Sequence, residues 1–417
     1  MPGGLMTKTA ETAHDAPLAT PLSAVGKTRS GAVRLDGIDL LRGLVICLMV
    51  LDHVRDFFML AGVGGPGGAG DPLDLATTNP ALFATRWITH FCAPTFVLLA
   101  GVSAYLQSAN GKTAGSLSRF LLTRGLWLIV LELTVIGFGW QFTPGLVFLQ
   151  VIWAIGWSMV LLSALTRLPA KAILAIGVVI IAGHNLLDGV QPEAFGAAAP
   201  VWNFLHVSNV VPIGGLTILF AYPVLPWFGV ICLGYGLGPV FLLETSRRRR
   251  VLMMLGLSMA ALFVVLRAFQ IYGDPQPWEG HPELWKTVGD FIDVAKYPPS
   301  LLYVLITVGL ALAFVPVLER LRGPAASFLL AFGRAPLFAY VLHLYVAHLL
   351  AMAVGAAMGF PLASFLNPLF NGPPQGWGFS LAGTYGIWLL ILAVLYPPTR
   401  WFAEVKARRR DWWLGYL

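Results

Sequence analysis

At 417 residues the chain is 57% hydrophobic and only 11% charged, against about 25% charged in an ordinary soluble domain. One soluble core cannot hide that much apolar side chain, so an all-α, polytopic integral membrane bundle is expected, with the lipid bilayer as its main partner. A net charge of +7 would suit nucleic acid in a soluble protein, but here its distribution follows membrane topology and no nucleic-acid partner is expected.

Residues 1–33 are rich in Ala, Thr, Ser, Pro and Gly with no apolar core for a cleaved signal, and read as a disordered cytoplasmic tail. Residues 34–417 read as a single ten-helix domain. Apolar runs long enough to span fall at about 38–60, 83–107, 118–139, 145–166, 170–187, 215–242, 250–271, 299–320, 328–356 and 380–397. Only "QFTPG" separates the third from the fourth, and its Pro-Gly predicts a tight turn. With the N-terminus inside, every Lys and Arg falls on inner segments except Arg55, Arg86, Arg267, Lys286 and Lys296. The outer loops at about 61–82, 188–214 and 272–298 are instead acidic. That alternation predicts both termini in the cytoplasm.

The first run, "LVICLMVLDHVRDFFML", turns polar at Asp52, His53, Arg55 and Asp56 before Phe57 resumes the apolar pattern. An ionisable group at membrane depth costs about 2.5–3.5 kcal/mol or more and marks a site by default. Asp52 and Asp56 share a face, and Arg55 reaches Asp52 at i,i+3. A self-neutralising Asp-Arg cluster would explain Arg55 but not His53. The second run, "RWITHFCAPTF", places Arg86 and His90 one turn apart, and Pro94 frees a backbone carbonyl that must be received by protein or a water-filled cavity. Each of the first two helices thus brings a histidine to similar outer depth, and a neutral imidazole can take and return a proton. Asp52, His53, Arg55, Asp56, Arg86 and His90 form the expected catalytic set.

Further along, "GRAPLFAYVLHLYVAHLL" carries His343 and His348, five apart and about 140° around a helix, which is no compact metal pair. His343 with the outer groups His184 and Asp188 is expected to contribute to an acceptor site, though Asn185, His206, Asn209 and these outer residues are also explained by loop solvation. Cys47, Cys92 and Cys232 sit in apolar runs without ligand spacing, and no metal is expected.

The stretches "RLDGIDLLRGLVICLMVLDHVRDFF" and "ITHFCAPTFVLLAGVSAYL" resemble bacterial membrane proteins grouped with the catalytic domain of heparan-α-glucosaminide N-acetyltransferase. So do "YPVLPWFGVICLGYGLG", "KYPPSLLYVLITVGLAL", "FGRAPLFAYVLHLYVAHLL" and the ending "DWWLGYL". The resemblance implies a transmembrane acetyltransferase of the bacterial cytoplasmic membrane. Acetyl-CoA would come from the cytoplasm, and a glycan or envelope saccharide would accept the acetyl group outside. It also implies a central histidine, which the heparan enzyme carries in the loop after this first helix, with an Asn where His53 stands. The loop here, "AGVGGPGGAGDPLDLATTNPALFATRW", has no His, so the role would pass to His53 or His90. Arg119, Arg124 and Arg334 would hold the CoA phosphates, since Arg suits bidentate phosphate contacts. A proton-coupled transporter would also bury His, Asp and Arg, and a haem protein would want facing histidines; homodimerisation is left open.

Overall fold

A computed structural model describes residues 35–59, 71–409 and 411–416; the expected cytoplasmic tail lies outside the described residues. The longer helices, in chain order, are α1 (Asp36–Phe58), α2 (Pro80–Ala109), α3 (Ala114–Gln141), α4 (Val151–Leu165), α5 (Ala170–Leu187) and α6 (Val224–Phe241). There follow α7 (Thr245–Ala268), α8 (Leu301–Leu318), α9 (Gly323–Arg334), α10 (Pro336–Ala357) and α11 (Leu381–Arg408). Eight of these are long and apolar enough to cross a membrane. The helical bundle predicted from composition is therefore present, with α1 as its charged, central member: it packs against α2, α8, α9, α10 and α11.

Local chemistry starts the helices where the sequence places caps. Asn79 accepts the Ala81 and Leu82 amides ahead of Pro80 in the first turn of α2. Thr113, Ser300 and Ser380 cap α3, α8 and α11 in the same way. Asp36 and Asp39 sit in the first turn of α1, where the helix dipole favours negative charge.

Three segments differ from the expected helices. The fourth run is a short strand, β1 (Leu146–Leu149), followed by α4. Fifteen residues at 1.5 Å rise reach only about 22 Å, so strand and helix together replace one span. The sixth run likewise opens on a strand: β2 (Asn209–Ile213) and β3 (Leu216–Phe220) form a hairpin, and β3 pairs in parallel with β1 to give the order β1-β3-β2. Gly214 and Gly215, at φ +57° and +81°, supply the two left-handed residues that a two-residue hairpin turn requires. The all-α class thus gains a small sheet at the loop-bearing end. The ninth run is two helices, α9 and α10, because Ala335 precedes Pro336 and is held out of the helical region at φ −131°, ψ 49°.

α9 crosses α1 at a glycine contact. A Cβ on Gly43 would lie 1.9 Å from the Leu329 carbonyl oxygen, and one on Gly333 would lie 1.7 Å from that of Asp39. Small residues let membrane helices approach this closely, and the contact fixes the lower half of α1 below its polar turn. One end of the bundle collects Arg42, Arg124, Arg334 and the Arg248/Arg249–Glu319 pairs; the other carries the sheet and the 188–223 and 269–300 connections. We call these the basic end and the loop end. Arg267 shapes the second connection: its guanidinium donates to the carbonyls of Gln276, Asp290, Phe291 and Asp293. Asp274 lies 3.6 Å away and itself accepts from Gln276, Ala295 and Ser300.

Candidate active site

The polar turn of α1 meets α2 through Asp52. Arg86 Nη1 reaches both Asp52 oxygens, at 3.0 and 3.1 Å. The Thr89 hydroxyl donates to Asp52 Oδ1 at 2.9 Å, and Arg55 Nη2 bridges Asp52 at 3.2 Å and Asp56 at 2.5 Å. The expected Arg55–Asp52 and Arg86 placements are therefore present, and Thr89 is an additional member. α2 is interrupted by a 3-10 turn over Thr89–Phe91, just where Pro94 cannot donate back to residue 90. The freed His90 carbonyl accepts the Tyr303 hydroxyl of α8 at 2.7 Å. Protein receives the opening, as the membrane requires. The His90 ring is buried against Tyr303, and its Nδ1 has no hydrogen-bond partner among the described residues.

Lys296 and Tyr297 join from the loop before α8. The charges of Lys296, Arg55 and Arg86 all act on Asp52 and Asp56, so three cations face two carboxylates. Burial raises the pKa of the Tyr297 hydroxyl, but the Lys296 and Arg86 cations outweigh it and hold it below the ordinary phenol value.

His53, next to Asp52 on α1, pairs with α10. Its Nδ1 lies 2.6 Å from His343 Nε2, with the two rings stacked at 4.9 Å. His343 Nδ1 faces the Ala339 carbonyl at 3.2 Å. A carbonyl only accepts, so His343 carries its proton on Nδ1 and accepts at Nε2; His53 then donates from Nδ1. The chain of donors leaves the His53 Nε2 lone pair as the basic site. Trp140 stands edge-on to His53 at 4.7 Å and Tyr340 at 6.2 Å. The Trp140 Nε1 and the Tyr340 hydroxyl are both buried and meet each other, with no further hydrogen-bond partner among the described residues.

A cavity of about 400 Å³ enters from the basic end and reaches Tyr340. Arg42, Arg124, Arg334 and Lys406 line its charged part, and Ile46, Met49, Ile152 and Ile155 its apolar part. Met49 lies one turn below His53 on α1, so the cavity approaches the histidine pair from the side opposite the Asp52 cluster. Arg42 donates to Asp39 Oδ1, the Leu99 carbonyl and Ser103 Oγ. Arg334 pairs with Asp36 at 3.2 Å. The last residues fold back over the rim: Arg124 donates to the Gly415 carbonyl, and the Thr123 and Tyr416 hydroxyls lie 2.7 Å apart. Leu414 and Gly415 of this closing stretch are thus part of the cavity wall.

The expected sets are regrouped. His53 finds its partner in His343 rather than His90, while Asp52, Arg55, Asp56 and Arg86 lie together beside it. Of the three arginines expected at a CoA phosphate, Arg124 and Arg334 line the cavity; Arg119 is exposed and outside it. His184 and Asp188 lie together on the α5 end, next to His206 and apart from His343. His348 is fully buried, between the Gly139 and Phe365 carbonyls at 3.0 and 2.9 Å, and holds α10 to α3. Tyr340, Trp140 and Glu132 were not singled out from sequence. Glu132 carried a readable signal, a lone carboxylate in "LIVLELTVIG". It is 1% exposed, accepts the Trp153 amide at 3.2 Å and opens a π-helical stretch over Glu132–Ile136, a distortion frequent at functional sites.

The family model for the catalytic region of heparan-alpha-glucosaminide N-acetyltransferase matches residues 34–272, more than half of the chain. The chain belongs to this family. It is accordingly a membrane protein of a transmembrane acetyltransferase family, and the matched region contains α1, α2 and Asp52, Arg55, Asp56, Arg86 and Thr89, while Lys296 and Tyr297 lie beyond it. No curated relative matches the chain.

Proposed function

We propose that the protein takes an acetyl group from acetyl-CoA at the basic, cytoplasmic end and passes it to a saccharide amine or hydroxyl at the loop end, in a bacterial cytoplasmic membrane with both termini inside. The observation that carries this reading is the cavity from the basic end that stops at Tyr340, whose ring stands 6.2 Å from His53 and 5.3 Å from His343, with the Asp52–Arg86 cluster on the far side. Its size falls in the ordinary range for small-ligand pockets. Arg124, Arg334 and Lys406 suit the phosphates at the mouth, and the apolar wall suits the pantetheine arm.

In the transfer, the acceptor nitrogen or oxygen attacks the thioester carbonyl while His53 Nε2 removes its proton. The tetrahedral oxyanion is stabilised by the Tyr340 hydroxyl and the Trp140 indole N–H, two buried donors beside His53 that otherwise meet each other. The C–S bond then breaks, the carbonyl re-forms, and the CoA sulfur leaves with the proton held by His53. His343, backed by the Ala339 carbonyl, fixes the His53 tautomer and shares the positive charge as it develops. Arg86, Lys296 and Asp52 bind and orient the acceptor.

The test is CoA thiol release by detergent-purified protein supplied with acetyl-CoA and amino-sugar acceptors. His53→Ala is expected to keep acetyl-CoA binding and lose turnover by about 10²–10⁴, the usual worth of a general base. Turnover by His53→Ala at the wild-type rate would overturn the assignment. Acetyl-CoA-independent proton flux in vesicles would instead favour a transporter, which could use the same line of buried polar groups.

A further inference from the structure

The end of α5 holds a second cluster that the acetyl-transfer reading does not use. His184 and Asp188 lie one turn apart, and His206, at the end of the short helix Ala199–Leu205, folds back onto them. One donor atom from each residue lies within 4.8 Å of the others. His184 is 2% and His206 1% exposed, and neither ring has a full set of protein partners among the described residues. His184 meets the backbone at Pro299, and His206 Nε2 stands 3.2 Å from Asp188 Oδ1. At least one nitrogen of each buried imidazole is left unpaired, which needs explaining because buried polar groups are ordinarily paired.

The surroundings orient the donors. Asn185 Nδ2 donates to Asp188 Oδ2 at 2.9 Å, which holds the carboxylate with Oδ1 turned toward the histidines, and Asn185 Oδ1 accepts the Leu301 amide of α8. The His184 and His206 rings meet edge to face at 5.5 Å, and Trp202 packs against His206 with its indole N–H on the Val190 carbonyl. A carboxylate held by an outer amide and rings held by packing are what a metal site needs around its ligands.

We propose that His184, Asp188 and His206 form a divalent transition-metal site of the zinc class. Two imidazoles and one carboxylate suit Zn²⁺ or Co²⁺ and are poor for Mg²⁺ or Ca²⁺, which want oxygen shells. Bonds of about 2.1 Å in a tetrahedron put ligand atoms about 3.4 Å apart, so a small inward turn of the side chains closes the site. Three protein ligands leave a fourth position for water, and Asp188, with 25% of its side chain exposed, gives the ion its way in. The ion would tie α5 to the segment that leads into the β2–β3 hairpin. Through Asn185 it would also brace the start of α8, next to Lys296 and Tyr297.

The experiment uses untagged, full-length protein in detergent, stripped with chelator and titrated with Co²⁺ and then Zn²⁺. The expected result is a visible band of tetrahedral Co²⁺ that saturates near one ion per chain and is displaced by Zn²⁺. Asp188→Asn, which keeps the side-chain shape, should weaken binding at least about tenfold, and the double variant His184→Ala/His206→Ala should abolish it. His281→Ala, whose ring pairs with Asp290 elsewhere, should bind as wild type. Absence of a saturable band in monodisperse wild-type protein would overturn the site. So would a band that survives the double variant.

Discussion

Removing Asp52 should orphan one arginine in particular, and that asymmetry can be measured. In Asp52→Ala, the Thr89 hydroxyl turns its one proton to the Arg86 carbonyl, 2.7 Å away, and Arg55 still holds Asp56. Arg86 alone loses its carboxylate, keeping only Thr89 Oγ1 at 3.1 Å and Tyr297. Asp52 and Arg86 side chains are only 14% and 13% exposed, and stripping one partner from a buried pair costs about 3–5 kcal/mol. The water that does reach them points to the lower figure, about 3 kcal/mol. Arg86→Met should cost a similar amount, because it leaves Asp52 with Arg55 as its one cation on α1 and α2. The double variant should cost about 4 kcal/mol rather than the sum, a coupling of about 2 kcal/mol. The assay is SDS-induced unfolding in mixed micelles, followed by tryptophan fluorescence, for all four proteins. Additivity within about 0.5 kcal/mol would refute the claim that Asp52 and Arg86 form one energetic unit.

Other expectations concern the frame around the site. Gly43→Ala sets a Cβ 1.9 Å from the Leu329 carbonyl oxygen, where about 3.3 Å is the closest comfortable approach. α1 and α9 must part by more than an ångström, so a loss of about 3 kcal/mol or more is expected in the same unfolding assay. Gly115→Ala, with open space around it, should be neutral or stabilising by up to about 1 kcal/mol. In the loop before α8, burial first and then Asp71 and Asp274 push the Asp293 carboxyl up to about 7. A raised acid stabilises the folded loop when protonated, and that stability is lost as pH rises from the ordinary carboxylate range through about 7. Amide exchange of residues 272–298, corrected for intrinsic rates, should therefore quicken between about pH 5 and pH 8, and Asp293→Asn should flatten the change.

Where chemistry is local, the sequence was a good guide to this fold and site. Caps, apolar runs and the Pro94 carbonyl all followed from neighbours within one or two turns. The Asp52–Arg55 contact is intrahelical, and Arg86 follows from the next helix in the chain. The His53–His343 pair joins residues 290 positions apart, and nothing near either one encodes the other. The same holds for His206, which reaches His184 only after an intervening loop folds back. "VVPIGGLTILF" was ambiguous because a short apolar run bounded by glycines serves a strand or a helix. The break at Ala335 was signalled by Pro336, but the length and hydrophobicity of the whole run outweighed it. Glu132 has only Leu128, Ile129, Val135 and Ile136 at helical spacing, so no charged neighbour on its own helix marks it.

The central claim is that the cavity at the basic end holds acetyl-CoA. Equilibrium binding of labelled acetyl-CoA to monodisperse, detergent-purified protein tests it most directly, with wild type beside Arg124→Gln and Lys406→Gln. Saturable binding that weakens at least about tenfold when a phosphate contact is lost is the predicted result. Wild-type protein that shows no saturation at millimolar acetyl-CoA would contradict the account.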